Sequence, residues 1–242
     1  MYVTGRPPQW LTPVVEATDH TGFAICANGS ITLDVKSGAI VALHSITNAT
    51  AVEVARRLRV EVPDVVFAVE TPHELRVEHG YEAVRDAGRV EGLAPTPPQA
   101  GSRREAPTLE ELLDAAPLIK LLAASAGSAP DELLAAGRRL VTDLVAPTHS
   151  SPGVALLEMG PPGVTKGSSL ASLAHSWGIA SADVVTFGDM PNDIEMLRWS
   201  GTSYAMSDGH QDAISAADHL APPAGDDGVA QVLEQLLRRR RA

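Results

Sequence analysis

Cysteine is almost missing from this chain. Cys26 stands alone among 242 residues, so no internal disulfide can form, and the usage suits a reducing cytoplasm. Basic charge is also in deficit: 19 Lys and Arg against 30 Asp and Glu leave a formal net charge of −11. That balance argues against a nucleic-acid partner, which needs a basic face to displace counterions. No apolar run reaches the roughly 18 residues that span a bilayer, so no membrane partner is expected. The opening MYVTGRPPQW has neither the charged start nor the apolar middle of a secretory signal. What remains is an ordinary globular balance, 44% apolar and 20% charged, long enough for one large domain or a core plus a second lobe. The terminal run Arg238 to Arg241 reads as a solvated end that suits the negative pole of a preceding helix, with a tag for an anionic surface as the other reading.

The pattern along the chain alternates between strands and helices. MYV reads as the end of a strand, PPQWLTPVVEA as a short helix opened by proline, and GFAICANGS as a strand. ITLDVKSGAIVALHSIT reads as a hairpin turning at Lys36-Ser37-Gly38, and TAVEVARRLRVE as a helix. VVFAVE and LRVEHGY are strands joined at Thr71-Pro72, and residues 92 to 107, rich in Pro and Gly, read as a loop. PLIKLLAAS and VALLEMG suit strands, and PDELLAAGRRLV suits a helix. From Lys166 the rhythm becomes regular strand–helix alternation. SSLASLAHSWG and PNDIEMLRWSG are helices, and DVVTF, between them, is a buried strand. SYAM is another strand, and GVAQVLEQLLR is a helix with Val229, Val232, Leu233, Leu236 and Leu237 on one face. Trp10, Trp177 and Trp199 fall on apolar helical faces and are expected in the core. The two ends therefore read as parallel α/β, forming a core from 1–33 and 161–242. The middle, 34–160, reads as an inserted, strand-rich α+β lobe acting as a lid.

In an open parallel sheet, ligands bind beyond the carboxyl ends of the strands. Three places meet that rule: Thr4-Gly5 after the first strand, Lys166 at a helix start, and Gly188-Asp189 after DVVTF, leading into Asn192 and Asp193. Alone, each has a plainer reading as a turn, a solvated lysine or a helix cap. Together they are consistent with phosphate chemistry, because a hydroxyl, backbone N–H groups, a lysine and a helix start all suit phosphate oxygens. A carboxylate at the same crevice repels that phosphate by roughly 4 kcal/mol at about 4 Å and an effective dielectric near 20. A Mg²⁺ ion between the two reverses the sign, since it favours one or two carboxylates plus substrate phosphate. On this reading Asp189 ligates Mg²⁺, Asn192 bonds the phosphate side and Asp193 supports both.

TGRPP, GVTKGSSL and GDMPNDIEML, in that order and with a large lobe between the first two, resemble the Cof-type phosphatases of the haloacid-dehalogenase superfamily. ICANGS, AMSDG and DDGVAQVLEQLL fit the same pattern, while the lobe matches in layout only. The resemblance implies an α/β fold, a Rossmann-like parallel-sheet core with a large inserted α+β cap. It implies Mg²⁺-dependent hydrolysis of small phosphate esters, often sugar phosphates, through an aspartyl-phosphate, so the expected partner is a small phosphorylated metabolite. By position, Thr4 and Gly5 contact phosphate, Lys166 stabilises the transferring phosphoryl group, Asp189 and Asp193 stand on the metal side, and Asn192 contacts phosphate. The family's nucleophile is the first Asp of a D-x-D-G-T loop upstream of the threonine motif, and Met1 lies three residues before Thr4. Glu16 and Asp19, the first acidic residues, fall at the end of a helix rather than on a strand tip. The resemblance therefore implies a further segment of roughly 30 residues ahead of Met1. The chain as it stands is expected to be essentially inactive.

Other motifs do not hold. GPPGVTKGSS places Thr165-Lys166-Gly167 where a P-loop needs G-K-[ST], and His73 and His79 lack zinc-ligand spacing. No G-x-S-x-G elbow occurs, and Cys26 lies in an apolar strand, as a packed thiol does. Two other functions stay open at the level of sequence: a non-catalytic binder of phosphorylated ligands, and phosphoryl transfer between sugars.

Overall fold

The computed structural model describes residues 1–87, 102–151 and 153–241, which divide into two compact units, Met1–Thr165 and Lys166–Ala242. In the first unit β1 (Tyr2–Val3) runs parallel to β2 (Phe23–Cys26). The link between them carries a 3-10 turn that begins at Pro8 and α1 (Thr12–Thr18), with Pro13 in its first turn; at both places the missing N–H has no helical partner to lose. β3 (Ile31–Asp34) and β4 (Ala39–Leu43) extend this sheet as antiparallel neighbours, in the order β1-β2-β3-β4. Their hairpin turns at Gly38, whose φ of 71° favours glycine.

α2 (Asn48–Glu61) starts where the Thr47 hydroxyl accepts the Thr50 N–H, and it buries Ala51, Val54, Ala55 and Leu58 on one face. There follow β5 (Val66–Glu70), β6 (Glu74–Glu78), α3 (Tyr81–Ala87), β7 (Ser102–Ala106) and α4 (Leu109–Leu112). β8 (Lys120–Ala124), α5 (Pro130–Val141), β9 (Ala146–Thr148) and β10 (Leu156–Gly160) complete the unit. Its second sheet has the order β7-β6-β5-β8-β10-β9, antiparallel except for β6 with β7. Leu58, Phe67, Leu121, Leu133 and Leu157 meet in one core between sheet and helices. Each such side chain stabilises the fold by about 1.5–3 kcal/mol through burial. The two sheets of this unit are joined by an Ile46–Leu118 bridge and by Ser30 Oγ donating to the Ile119 carbonyl at 2.8 Å.

The second unit contains α6 (Lys166–Ser176), β11 (Val185–Gly188), α7 (Ile194–Trp199) and β12 (Thr202–Met206). α8 (Gln211–Ala216), β13 (His219–Ala221) and α9 (Gly228–Arg241) follow. Its sheet, β11-β12-β13, is wholly parallel, as the strand–helix rhythm after Lys166 requires.

Four expectations need correction. The stretch 92–107 ends in a strand, β7, because β6 offers it a parallel partner that outweighs the local Pro and Gly content; 92–101 lie outside the described residues. DVVTF is only partly buried: Val185 is 41% exposed, since among the described residues β11 pairs with β12 alone and forms an edge. Trp177 is 46% exposed, because it follows the last turn of α6 and Gly178, at φ 69°, redirects the chain. On α9, Val232 is buried and Leu236 partly so, whereas Val229, Leu233 and Leu237 face solvent, so the expected five-residue face is half covered.

Candidate functional site

The chain leaves β11 at Gly188 and doubles back through a 3-10 turn, Pro191–Asp193, into α7. The return is this tight because Gly188 has no side chain; a Cβ there would lie 2.5 Å from the Cβ of Asp193. Asp193 then holds the turn from inside. Its Oδ2 accepts the backbone N–H groups of Asp189 at 3.0 Å and Met190 at 3.1 Å, and its Oδ1 accepts Lys166 Nζ at 2.7 Å. Lys166 opens α6 and reaches Asp193 because α6 and α7 approach closely. A Cβ on Gly167 would come within 2.7 Å of the Glu195 carbonyl carbon. Lys166 and Asp193 are both buried, so their charges depend on each other.

Asn192 is buried in the same turn, whereas Asp189 is exposed at the end of the strand. The Asp189 carboxyl titrates above the usual carboxylate range. Partial loss of water is the main cause, the negative charges of Asp193 and Asp208 add to it, and Lys166 opposes it. Asp208 is a residue that reading the sequence did not single out. Its signal is positional: it follows β12, the neighbouring parallel strand, just as Asp189 follows β11. The structure thus brings Lys166, Asp189, Asn192 and Asp193 together at one strand end.

Thr4 and Gly5 belong to the first unit, immediately after β1. The Thr4 N–H donates to the Ile25 carbonyl at 2.8 Å and its Oγ1 accepts the Arg6 N–H at 3.1 Å. A second turn, at Ala27–Gly29, braces the first: Asn28 N–H donates to the Thr4 carbonyl at 3.1 Å and Ala27 N–H to the Arg6 carbonyl at 2.9 Å. Ala27, Asn28 and Gly29 take φ values of 50°, 57° and 110° in succession. The two non-glycine residues hold a left-handed conformation that costs about 1–2 kcal/mol each.

The donor set at 188–193 fits a hard divalent cation. Asp189 offers an exposed carboxylate whose charge is under-compensated, and oxygen donors are what Mg²⁺ takes. Asp193 differs, because three hydrogen bonds already occupy both of its oxygens. Lys166 supplies the positive charge and Asn192 a neutral donor.

A parallel α/β unit with an acid-and-lysine corner at its strand ends defines a class of ligand-binding α/β proteins. The comparisons specify the family. The chain belongs to the haloacid dehalogenase-like hydrolases, whose family model matches residues 1–233. It is 36% identical over 98 residues to the 5-amino-6-(5-phospho-D-ribitylamino)uracil phosphatase YbjI of Escherichia coli, covering 40% of this chain and 35% of that protein. It is 29% identical over 106 residues to the phosphoglycolate phosphatase of Methanoculleus marisnigri, covering 44% of each. These two matches span 35% and 44% of the relatives' own length. The fold agrees with SMU.1108c of Streptococcus mutans at a TM-score of 0.80 and 20% identity, over 98% of this chain and 85% of that one. A haloacid dehalogenase-like hydrolase from B. subtilis matches at 0.79 and 22% identity, over 97% and 86% of the two chains.

Proposed function

We propose that the protein serves Mg²⁺-dependent hydrolysis of small, sugar-phosphate-like esters. The observation that carries this reading is the buried Lys166–Asp193 pair, 2.7 Å long, held beside the exposed carboxylate of Asp189. Mg²⁺, when bound at Asp189, would supply positive charge that lets a phosphate approach the acidic corner. Lys166 neutralises charge on the phosphoryl oxygens, and Asp193 keeps the ammonium aimed and the 188–193 turn closed. Asn192 is proposed as a phosphate contact of the second unit, and Thr4 and Gly5 are proposed as phosphate-contacting positions of the first. Residues 34–160 act as the cap that chooses the substrate, and 1–33 with 161–242 as the core. Support comes from family membership, from relatives named as phosphatases, and from a fold shared with a structure described as a subclass IIB sugar phosphatase, BT4131.

The covalent step proposed here, through an aspartyl-phosphate, requires an Asp nucleophile on a D-x-D-G-T pattern, which none of the 242 residues supplies. The test compares this chain with a version extended through the upstream reading frame, using a generic aryl phosphate with and without Mg²⁺. Hydrolysis is expected from the extended protein only with Mg²⁺, and Asp189→Asn is expected to abolish it. Hydrolysis unaffected by chelation, or by Asp189→Asn, would refute the proposal. A folded protein that binds phosphate but hydrolyses nothing in either form would establish the non-catalytic binder instead.

A further inference from the structure

Strand register places three charged side chains side by side in the six-stranded sheet. Glu70 on β5 stands directly opposite Lys120 on β8, and Glu158 on β10 pairs with Leu122, which sets it diagonal to Lys120 on the same face. All three are 3% exposed. Lys120 Nζ lies 2.8 Å from Glu158 Oε2 and 3.1 Å from Glu70 Oε2, and donates to the Gly5 carbonyl at 2.8 Å. Glu70 and Glu158 thus flank one ammonium, and Glu70 contributes through its ion pair with it. The lysine links both carboxylates to the Thr4–Gly5 turn through its bond to the Gly5 carbonyl. Glu158 in turn accepts Asn28 Nδ2 at 2.9 Å and the Ser150 hydroxyl.

This arrangement is poorly explained as a device for stability alone. Buried charges are costly to desolvate, and well-packed apolar residues commonly do as well or better. Burial, with the charge of Glu158 adding to it and Lys120 opposing it, pushes the Glu70 carboxyl up to about 6. What the cluster does achieve is local. It ties down both turns at the end of the four-stranded sheet, Gly5 through Lys120 and Asn28 through Glu158, and Asn28 holds one of the strained left-handed conformations. Strain of this kind persists where surrounding contacts over-determine the backbone, and it clusters at functional sites.

We infer that Lys120 is a positioning residue: its bond to the Gly5 carbonyl fixes the orientation in which the Thr4–Gly5 turn meets a phosphate group. The inference rests on the reading of Thr4 and Gly5 as phosphate contacts. Its test uses the full chain, amide hydrogen exchange, and titration with inorganic phosphate in the presence of Mg²⁺. Lys120→Met is expected to speed exchange at Arg6, Ala27 and Asn28 and to weaken phosphate binding about tenfold, the factor carried by one charge-assisted hydrogen bond. Glu70→Gln, which leaves the Gly5 bond in place, is expected to change neither. Should Lys120→Met fail to fold, the neutral combination Lys120→Met with Glu70→Gln and Glu158→Gln removes the tether without stranding a buried charge, and the same two effects are expected. Thr4→Ala separates the failures. If Thr4→Ala weakens phosphate binding and the Lys120 variants do not, the positioning role is wrong and the phosphate reading stands. If neither affects binding, the phosphate reading falls and takes the inference with it. Unchanged exchange at Arg6, Ala27 and Asn28 also overturns it, because a purely structural lysine lowers the melting temperature without loosening those amides selectively.

Discussion

Gly167→Ala sets two physical effects against each other at the foundation of the candidate site. Helix propensity alone favours alanine within a helix by about 0.8–1 kcal/mol. Packing opposes it. A Cβ at Gly167 would stand 2.7 Å from the Glu195 carbonyl carbon and 2.8 Å from the Met196 nitrogen, both backbone atoms that cannot rotate away. Ordinary contact begins at 3.4 Å, so α6 must retreat from α7 by 3.4 − 2.7 = 0.7 Å. Overpacking costs about 1–3 kcal/mol in general, and contacts below 3.0 Å with immobile backbone place this one at about 2–3, which outweighs the propensity gain. The expected net loss is about 1–2 kcal/mol, or roughly 2–8 °C in melting temperature for a chain of this size. The retreat also stretches the 2.7 Å bond from Lys166 to Asp193, so phosphate binding should weaken along with stability. Urea unfolding and phosphate titration measure the two effects. Gly225→Ala serves as the control, since nothing lies within 4 Å of the added carbon, and it should stay within about 0.5 kcal/mol of the parent. A Gly167→Ala protein as stable as the parent, or more so, would refute the close-approach argument.

Asp193→Asn leaves Lys166 buried beside a neutral group and should cost about 3–5 kcal/mol in urea unfolding. Adding Lys166→Met should then cost far less than it does alone, and strictly additive losses would disprove the coupling. Glu70 predicts a pH effect of definite sign. Its folded pKa, about 6, exceeds its ordinary value of 4.5, so the folded state holds a proton that the unfolded chain has released between those limits. Its ionisation therefore weakens the fold as pH rises through that window. Glu70→Gln should lack this loss, so the stability of the variant relative to the parent should improve from pH 4 to pH 7; a flat difference would be the contrary result. Cys26 is fully buried and its thiol is pushed up to about 12 by burial. The native protein should therefore resist iodoacetamide at pH 8 and be labelled only in denaturant.

The 188–193 corner was legible in the sequence because its elements are local. An apolar run, a glycine, and acids with an amide before a proline-opened helix declare a strand end wherever they occur. The α5 boundaries, Pro130 to Val141, follow equally from a proline start and a four-residue apolar period. Exposure was less legible. Whether Val185 or Trp177 is covered depends on which strand or helix lies next to it, and apolar character alone does not carry that information.

The cluster of Glu70, Lys120 and Glu158 marks the division most clearly. Each leaves a trace in the chain as a lone charge in an apolar strand, VFAVE, PLIKLLAAS and LLEMG. Nothing local says that they touch, because the contact arises from pairing β5 with β8 and β8 with β10 across 50 and 38 positions of chain. The amino-acid order by itself determined the elements with clear periodicity, the acidic corner and the family, since those depend on short-range pattern and residue type. Tertiary structure alone decided that Asp193 holds Lys166 and that Lys120 grips the Gly5 carbonyl, because side chains become partners only after strand register and helix approach place them within bonding distance.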